Sequence, residues 1–366
     1  KELNTKSYFE SDLAPVITGT TNHREKLINV LELAKSKVKW NGEYGVFCDK
    51  GVRNAYKHNT GNVAEVNLIL TSMLRNAGFK ANPILLSTRS NGIAVFPSIN
   101  AFNYVIAGVE LDNKVILLDA TEASSSVDVI PLRANNWIGR LVFDNGDSKE
   151  INLDVEKPSN YQKMLNYKLQ ESGSIEGTYM CRFSDYMARL ERDRYFLNSI
   201  DKNIELLENR YEGTDIFDLE FQNLNNIHEA FGYQFKFSSS DYTDIVGNKM
   251  YINTLLFLAT SSNPFTKETR KHPVDFPFPS KGKYIINIQI PDGYQIEYMP
   301  ESIHVKMKDD IVTFRYLISQ NGNIIQLNLQ EDFNKSIIEA ENYPDLKSIF
   351  ENLIQKENEK IVLIKT

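Results

Sequence analysis

The stretch Gly61-Asn62-Val63-Ala64-Glu65-Val66-Asn67-Leu68-Ile69-Leu70-Thr71-Ser72-Met73-Leu74-Arg75-Asn76-Ala77-Gly78 decides how the first half of this chain is read. Its apolar residues recur at Val63, Val66, Leu70, Met73, Leu74 and Ala77, near the 3.6-residue period of a buried helix. Gly61-Asn62 makes the turn into it. Arg75 lies in the last turns, where a cation suits the helix dipole, and Gly78 suits the C′ position. The start of such a helix favours a thiolate, through the positive end of the dipole and free N–H groups. The residue there is Val63, which has no nucleophilic atom. Glu65, just beyond it, reads as a dipole-compensating group rather than an acid catalyst.

The 366 residues exceed one ordinary core, so two domains are expected, 1–156 and 157–366. A hydrophobic share of 42% and a charged share of 24% are those of a folded globular protein. The 18 Tyr and 20 Phe lean toward β-rich structure. A net charge of −7, spread along the chain, gives no basic field for nucleic acid or anionic lipid. No apolar run is long enough for a spanning helix. The polar start at Lys1 shows no signal peptide and reads as a mature or trimmed end. Cys48 and Cys181 are expected to be unpaired thiols, one disulfide being the alternative, and without a CxxC they make no cysteine-based metal site.

Around the central helix, Lys1–Thr21 reads as an extended lead-in with a strand-like Lys6–Phe9. Asn22 caps a predicted helix to about Lys39, and a short helix is expected over Val52–His58. Strands are predicted at 81–88, 101–111 and 114–121, with a hairpin turn at Asp112-Asn113. A second hairpin, 137–144 with 149–154, turns at Asn145-Gly146. Helix first and antiparallel strands after is an α+β pattern.

Beyond Glu156-Lys157-Pro158, strands are predicted at 161–170 and 174–182. One charged helix is expected from Ser184 to Tyr211, with Arg189, Glu191, Arg192, Asp193 and Arg194 on a solvated face. Strands follow at 216–222, 229–238 and 249–258, then an irregular Pro-rich connection to Pro279. The segments 283–290, 295–299, 302–308, 311–319 and 324–330 read as a β-meander. A helix over 343–358 and an edge or returning strand at 360–364 close the chain.

A helix, a strand carrying Tyr104 and a next strand carrying Asp119 form the scaffold on which a cysteine, a base and an orienting carboxylate would sit. Three local motifs sharpen this. They are Gly61-Asn62-Val63, Phe102-Asn103-Tyr104-Val105-Ile106, and Leu117-Leu118-Asp119-Ala120-Thr121. The chain thereby resembles the transglutaminase-like superfamily, whose motifs are Gly-Asp/Asn-Cys, a Phe-Asn-His-Val-like strand and a strand ending in Asp-Ala/Pro-Thr. Asn263-Pro264-Phe265, Arg270–Phe276 and Ile290-Pro291-Asp292-Gly293-Tyr294 resemble the β-rich region that follows this core in Bacteroidetes envelope proteins carrying an N-terminal DUF3857 domain. The resemblance implies a transglutaminase-like, papain-like cysteine protease core with an antiparallel sheet. It also implies a β-rich, sandwich-like domain with a C-terminal helix, and a periplasmic or envelope location.

The triad positions are Val63, Tyr104 and Asp119, so nucleophile and base are both replaced and only the carboxylate survives. This predicts a non-catalytic module that binds a peptide, a glycan or another envelope protein, or serves as structure, with no cofactor, no nucleic acid and no membrane span. Trp40, Tyr44, Asn62, Val63, Tyr104 and Asp119 would line its cleft. The structural reading sits beside it: Val63 is core, Tyr104 fills the vacated space, Trp40 and Tyr44 pack, and Asp119 bonds locally. The competing reading is a thiol hydrolase or acyltransferase using Cys48, with His58 ten residues on. A third is assembly through an exposed edge of the C-terminal sheet. His23, His228, His272 and His304 show no metal-ligand spacing, and Ser124-Ser125-Ser126 reads as a flexible polar loop.

Overall fold

The computed structural model describes residues 2–95 and 101–366, leaving Lys1 of the predicted lead-in outside. The protein is a sheet-rich α+β chain in two compact units, Lys1–Val155 and Glu156–Thr366.

The first unit holds α1 (Glu10–Ile17), α2 (His23–Lys37), α3 (Val52–His58) and α4 (Val63–Asn76), the last two packed on a two-stranded parallel pair. That pair is β1 (Lys39–Trp40) with β2 (Thr60–Gly61). The extended lead-in is overturned. Phe9 and Leu13, four residues apart, are both buried, a helical rather than a strand spacing, and Glu10 and Asp12 favour the helix start. Asn22 caps α2 as predicted, accepting from the Glu25 amide at 3.1 Å. The second layer is one sheet of β3 (Lys80–Leu86), β4 (Tyr104–Leu111), β5 (Lys114–Leu118), β6 (Ile138–Val142) and β7 (Ser148–Asn152). Its order is β5-β4-β3-β6-β7, with every neighbouring pair antiparallel. Asp112 (φ 50°) and Asn113 (φ 63°) supply the two positive φ values that join β4 to β5. The serine loop is not free. Ser125 is buried, and Lys35 of α2 donates its ammonium to the carbonyls of Ala123 and Ser125.

The second unit starts with β8 (Ser159–Leu169) and β9 (Ile175–Phe183). The predicted single charged helix is two, α5 (Asp185–Arg192) and α6 (Ile200–Arg210), the second capped by Ser199. Nor is its charged face solvated throughout. Arg192 turns inward to donate to the carbonyls of Asn223, Asn226 and Glu229, and Glu191 takes a two-pronged contact from Arg210. Arg189 is buried as well.

The remaining strands are β10 (Asp215–Gln222), β11 (Phe231–Ser239), β12 (Thr243–Val246), β13 (Lys249–Asn253), β14 (Val274–Asp275), β15 (Ser280–Gln289), β16 (Tyr294–Tyr298), β17 (Ile303–Lys306), β18 (Val312–Asn321), β19 (Ile324–Phe333) and β20 (Ile337–Ile338). Helix α7 (Tyr343–Glu357) and β21 (Lys360–Lys365) end the chain. The C-terminal strands are not a simple meander. An eight-stranded sheet runs β10-β11-β9-β8-β15-β19-β18-β17, and a four-stranded sheet runs β12-β13-β21-β16. Strand β16 leaves its sequence neighbours to pair with β21, which is interior rather than an edge. Inward residues of both sheets, among them Leu165, Ile286, Leu327, Met250, Ile252, Ile361 and Leu363, share one apolar core.

Two polar features cross that core. Gly282 faces Tyr161 on one side and Glu331 on the other in the strand register. A Cβ on Gly282 would meet the Tyr161 ring at 2.2 Å, so the glycine lets the ring cross β15 and donate its hydroxyl to Glu331 on β19 at 2.7 Å. Glu357, at the end of α7, accepts from the Thr260 amide at 2.7 Å. Burial, then the charge of Glu331, push its carboxyl up to about 8 from an ordinary 4.5.

Gly282→Ala is expected to displace the Tyr161 ring and cost about 1–3 kcal/mol in urea unfolding. A raised carboxyl pKa means stability that is complete below about pH 4.5 and is lost as pH rises through about 8. Glu357→Gln should therefore flatten the fall in unfolding midpoint between pH 5 and 9. Parallel curves for parent and variant would contradict the assignment.

Candidate functional site

The site is built at the start of α4, where the sequence predicted a helix that could activate a nucleophile. Asn62 and Glu65 form a capping box: the Asn62 side chain accepts from the Glu65 amide, and Glu65 accepts from the Asn62 amide, both at 2.9 Å. The other Glu65 oxygen accepts from the amides of Lys50 and Gly51 at 2.6 and 2.8 Å, holding the 41–51 loop against the helix. Gly61 is needed for this closeness, since a Cβ there would lie 2.9 Å from Ala55 and from Glu65. The amide of Val63 is spent on the Glu43 carbonyl at 3.1 Å. The Val63 and Glu65 amides, dipole-end donors that would stabilise a thiolate or an oxyanion, are thus already engaged with the Glu43 carbonyl and the Asn62 side chain.

Strand β4 delivers Tyr104, and the chain just beyond β5 delivers Asp119 and Thr121. Val63, Tyr104 and Asp119 each show no exposure. The Tyr104 hydroxyl donates to Asp119 Oδ2 at 2.9 Å. Asp119 Oδ1 accepts from the Thr121 amide at 2.8 Å and from Asn67 Nδ2 at 3.1 Å, and Asn67 Oδ1 takes the Ala120 amide at 2.9 Å. The carboxylate is therefore satisfied by α4, β4 and its own turn. Burial, then the Asp119 charge, push the Tyr104 phenol well above its ordinary range, so it stays a neutral donor rather than a base.

Arg133, from the short turn Leu132–Ala134, closes the arrangement. Its Nε and Nη2 donate to the Tyr104 hydroxyl at 3.2 and 3.0 Å, Nη2 also to Thr121 Oγ1 at 2.8 Å, and Nη1 pairs with Glu122. The guanidinium lies 4.5 Å from the Trp40 ring and 5.4 Å from the Tyr104 ring. Trp40 meets Tyr44 edge-on at 5.4 Å, and Tyr44 lies 5.9 Å from Tyr104.

Five of the six residues expected to line a cleft thus make a filled, mostly buried cluster rather than an open groove. Tyr104 and Arg133 fill the region through their shared contacts, and Asn62 is spent on the cap. Only Tyr44, 46% exposed, presents substantial surface, joined by Phe47 at 78%. Sequence reasoning missed Asn67, Thr121 and Arg133 as partners. Asn67, a polar residue on the apolar face of α4, was the available signal for a buried acceptor opposite it.

Cys48 and His58 are not brought into a pair. His58 Nδ1 bonds the Asn54 carbonyl, and the Cys48 thiol, half-buried, is pushed up to about 12 by burial and then by the charges of Glu2 and Glu65. Both cysteines are free. Among the described residues no group of three His, Cys, Asp or Glu side chains could hold a metal ion, and no helix is long and apolar enough to cross a membrane.

Tyr104→Phe is expected to leave Asp119 Oδ2 and the Arg133 fork without their shared partner, at a cost of about 1–3 kcal/mol in urea unfolding. An unchanged midpoint would mean the cluster is slack.

Comparison with known proteins speaks mainly to the fold. Residues 248–363 match the family described as Domain of Unknown Function with solved-structure structure (DUF3858). No curated protein matches the chain. A crystal structure described as a "putative protease" from Parabacteroides distasonis ATCC 8503 is similar over 99% of this chain, with a TM-score of 0.56 and 11% identity. This chain spans 56% of that protein's length. The family that residues 248–363 match is one of unknown function, and the solved structure shares the mixed α+β architecture.

Proposed function

We propose that the first unit is a transglutaminase-like core whose catalytic positions have been rebuilt as a structural knot. The chain is then a non-catalytic binding or structural module of the cell envelope. The observation that carries this reading is the meeting of Val63, Tyr104 and Asp119 in one buried cluster, with Tyr104 and Asp119 bonded at 2.9 Å as a histidine and its orienting carboxylate would be. A valine cannot attack and a neutral phenol cannot take a proton near pH 7, so the covalent mechanism has no first step. The envelope location rests on the sequence resemblance.

The accessible part of the region is an aromatic rim, Tyr44 and Phe47, backed by Trp40 on Arg133. Aromatic side chains offer large contact area at small entropic cost, which suits capture of a peptide or a glycan. NMR titration with peptide and glycan libraries is expected to move resonances of Tyr44, Phe47 and Trp40. Perturbations confined to other surfaces would remove the rim from the reading.

Catalysis is tested directly. Ammonia release from a glutamine peptide plus an amine, and hydrolysis of an activated ester, should not exceed the buffer blank. Iodoacetamide should alkylate Cys48 at pH 7 far more slowly than free cysteine, because its thiol is pushed up to about 12. Turnover abolished by Cys48→Ser would instead establish the thiol hydrolase reading.

A further inference from the structure

The outer face of the eight-stranded sheet carries a row of cations that the protein leaves unmatched. Directly paired residues on neighbouring strands point to the same face. From β9 to β17 the register gives Arg182, Gln162, Lys283, Gln330, Arg315 and His304, all exposed. Two residues along the strands, the next row holds Asn160, Lys281 and Asp332. Strands are spaced about 4.8 Å apart, so successive cations in the first row stand about 10 Å apart. Among the described residues, Arg182, Lys281, Lys283 and Arg315 form no ion pair, although acidic residues outnumber basic ones in the chain by 48 to 41.

A second, independent feature sits in the same place. Asp332 is only 9% exposed, yet its Oδ1 has no hydrogen-bond partner, while Oδ2 accepts from Gln330 at 2.9 Å. Native structures satisfy buried acceptors, with a ligand or water where the protein supplies nothing. Asp332 lines a depression of about 450 Å³ together with Arg182, Gln162, Lys281, Lys283 and Gln330. That volume lies within the roughly 300–1,000 Å³ of small-ligand sites.

These groups specify a ligand. Lysine and arginine alone would take any polyanion. The orphaned carboxylate oxygen adds the requirement for a neutral donor beside the anionic group. The side-chain amides of Gln162, Gln330 and Asn160 each offer both a donor and an acceptor, which match hydroxyls. A sugar ring bearing a carboxylate supplies that combination, an anion flanked by hydroxyl donors. An acidic peptide also supplies anions and neutral donors, but only one backbone N–H per residue, where a sugar ring offers several hydroxyls beside each carboxylate.

We propose that this face binds an acidic oligosaccharide of the uronate type. Its carboxylates sit on Lys281, Lys283 and Arg182, and a ring hydroxyl donates to the Asp332 carboxylate. The site lies wholly within the second unit and does not depend on the non-catalytic reading of the first. Either can fail while the other stands.

The test is calorimetric titration of the full chain with trigalacturonate, hexaglutamate and maltotriose, with the variants checked by circular dichroism and thermal melting. Trigalacturonate is expected to bind saturably, at least tenfold more tightly than hexaglutamate, and more weakly as salt screens the cations. Maltotriose should not bind. The exposed double change Lys281→Ala, Lys283→Ala should weaken trigalacturonate at least tenfold without moving the melting temperature. Asp332→Ala should erase the preference over hexaglutamate. Equal binding of hexaglutamate would make this a surface for acidic peptide and overturn the proposal. So would binding of maltotriose as tight as the acidic sugar, no binding of trigalacturonate, or full affinity in the double variant.

Discussion

A carboxylate with no exposure must have its oxygens answered by donors, and in the first unit that constraint falls on Asp119. Its donors come from a helix through Asn67, from a strand through Tyr104 and from its own turn through Thr121. Each of these is then held by a further contact. Asn67 reads back to Val105 and Ala120, and Tyr104 and Thr121 carry the Arg133 fork. Removing any one member leaves a buried group unpaired, so the helix layer and the sheet layer are locked to each other at this point rather than merely packed.

The second unit solves a comparable problem differently. Its large sheet buries Tyr161, Tyr284 and Glu331 on the inner side, where apolar residues would be the simpler choice. A glycine at 282 lets an aromatic ring span three strands, and burial with the nearby Glu331 charge raises the Glu357 carboxyl pKa. On the outer side, Arg182, Lys283 and Arg315 stand opposite glutamines, and Lys281 faces Asp332. Inside, the polar groups bond to one another, while around the outer depression one carboxylate oxygen of Asp332 is left without a partner.

Much of the fold was legible because local rules govern it. The capped helix at Asn22, the helix at Val63 and the turns at Asp112-Asn113 and Asn145-Gly146 follow from capping and turn chemistry within a few residues. What escaped was set by distant partners. Phe9 could be read as extended until Leu13 was seen to bury beside it. Arg192 reads as a solvated charge until the carbonyls of Asn223, Asn226 and Glu229 converge on it. The pairing of Tyr294–Tyr298 with the last strand leaves no trace in either segment. At the candidate site, the approach of Tyr104 to Asp119 was legible from the two neighbouring strands, but the closure was not, because Arg133 arrives from a loop with no periodic signal. The row of cations on the sheet exists only in the register, which sequence alone does not give.

The parallel pairing of β8 with β15 has a consequence for how the chain becomes a protein. Asn166 and Asn287, bonded across it, lie 121 residues apart, and the two strands share one register from Ser159 to Lys168. During synthesis β8 can pair with β9 at once, but its other edge stays open until β15 emerges. An open edge of eleven residues is a template for pairing with another chain. The matched family segment begins at residue 248 and so contains β15 without β8. Cut there, the large sheet would present β15 as a bare edge and lose the four strands beyond it, so the family boundary does not coincide with a unit that can close its own sheet.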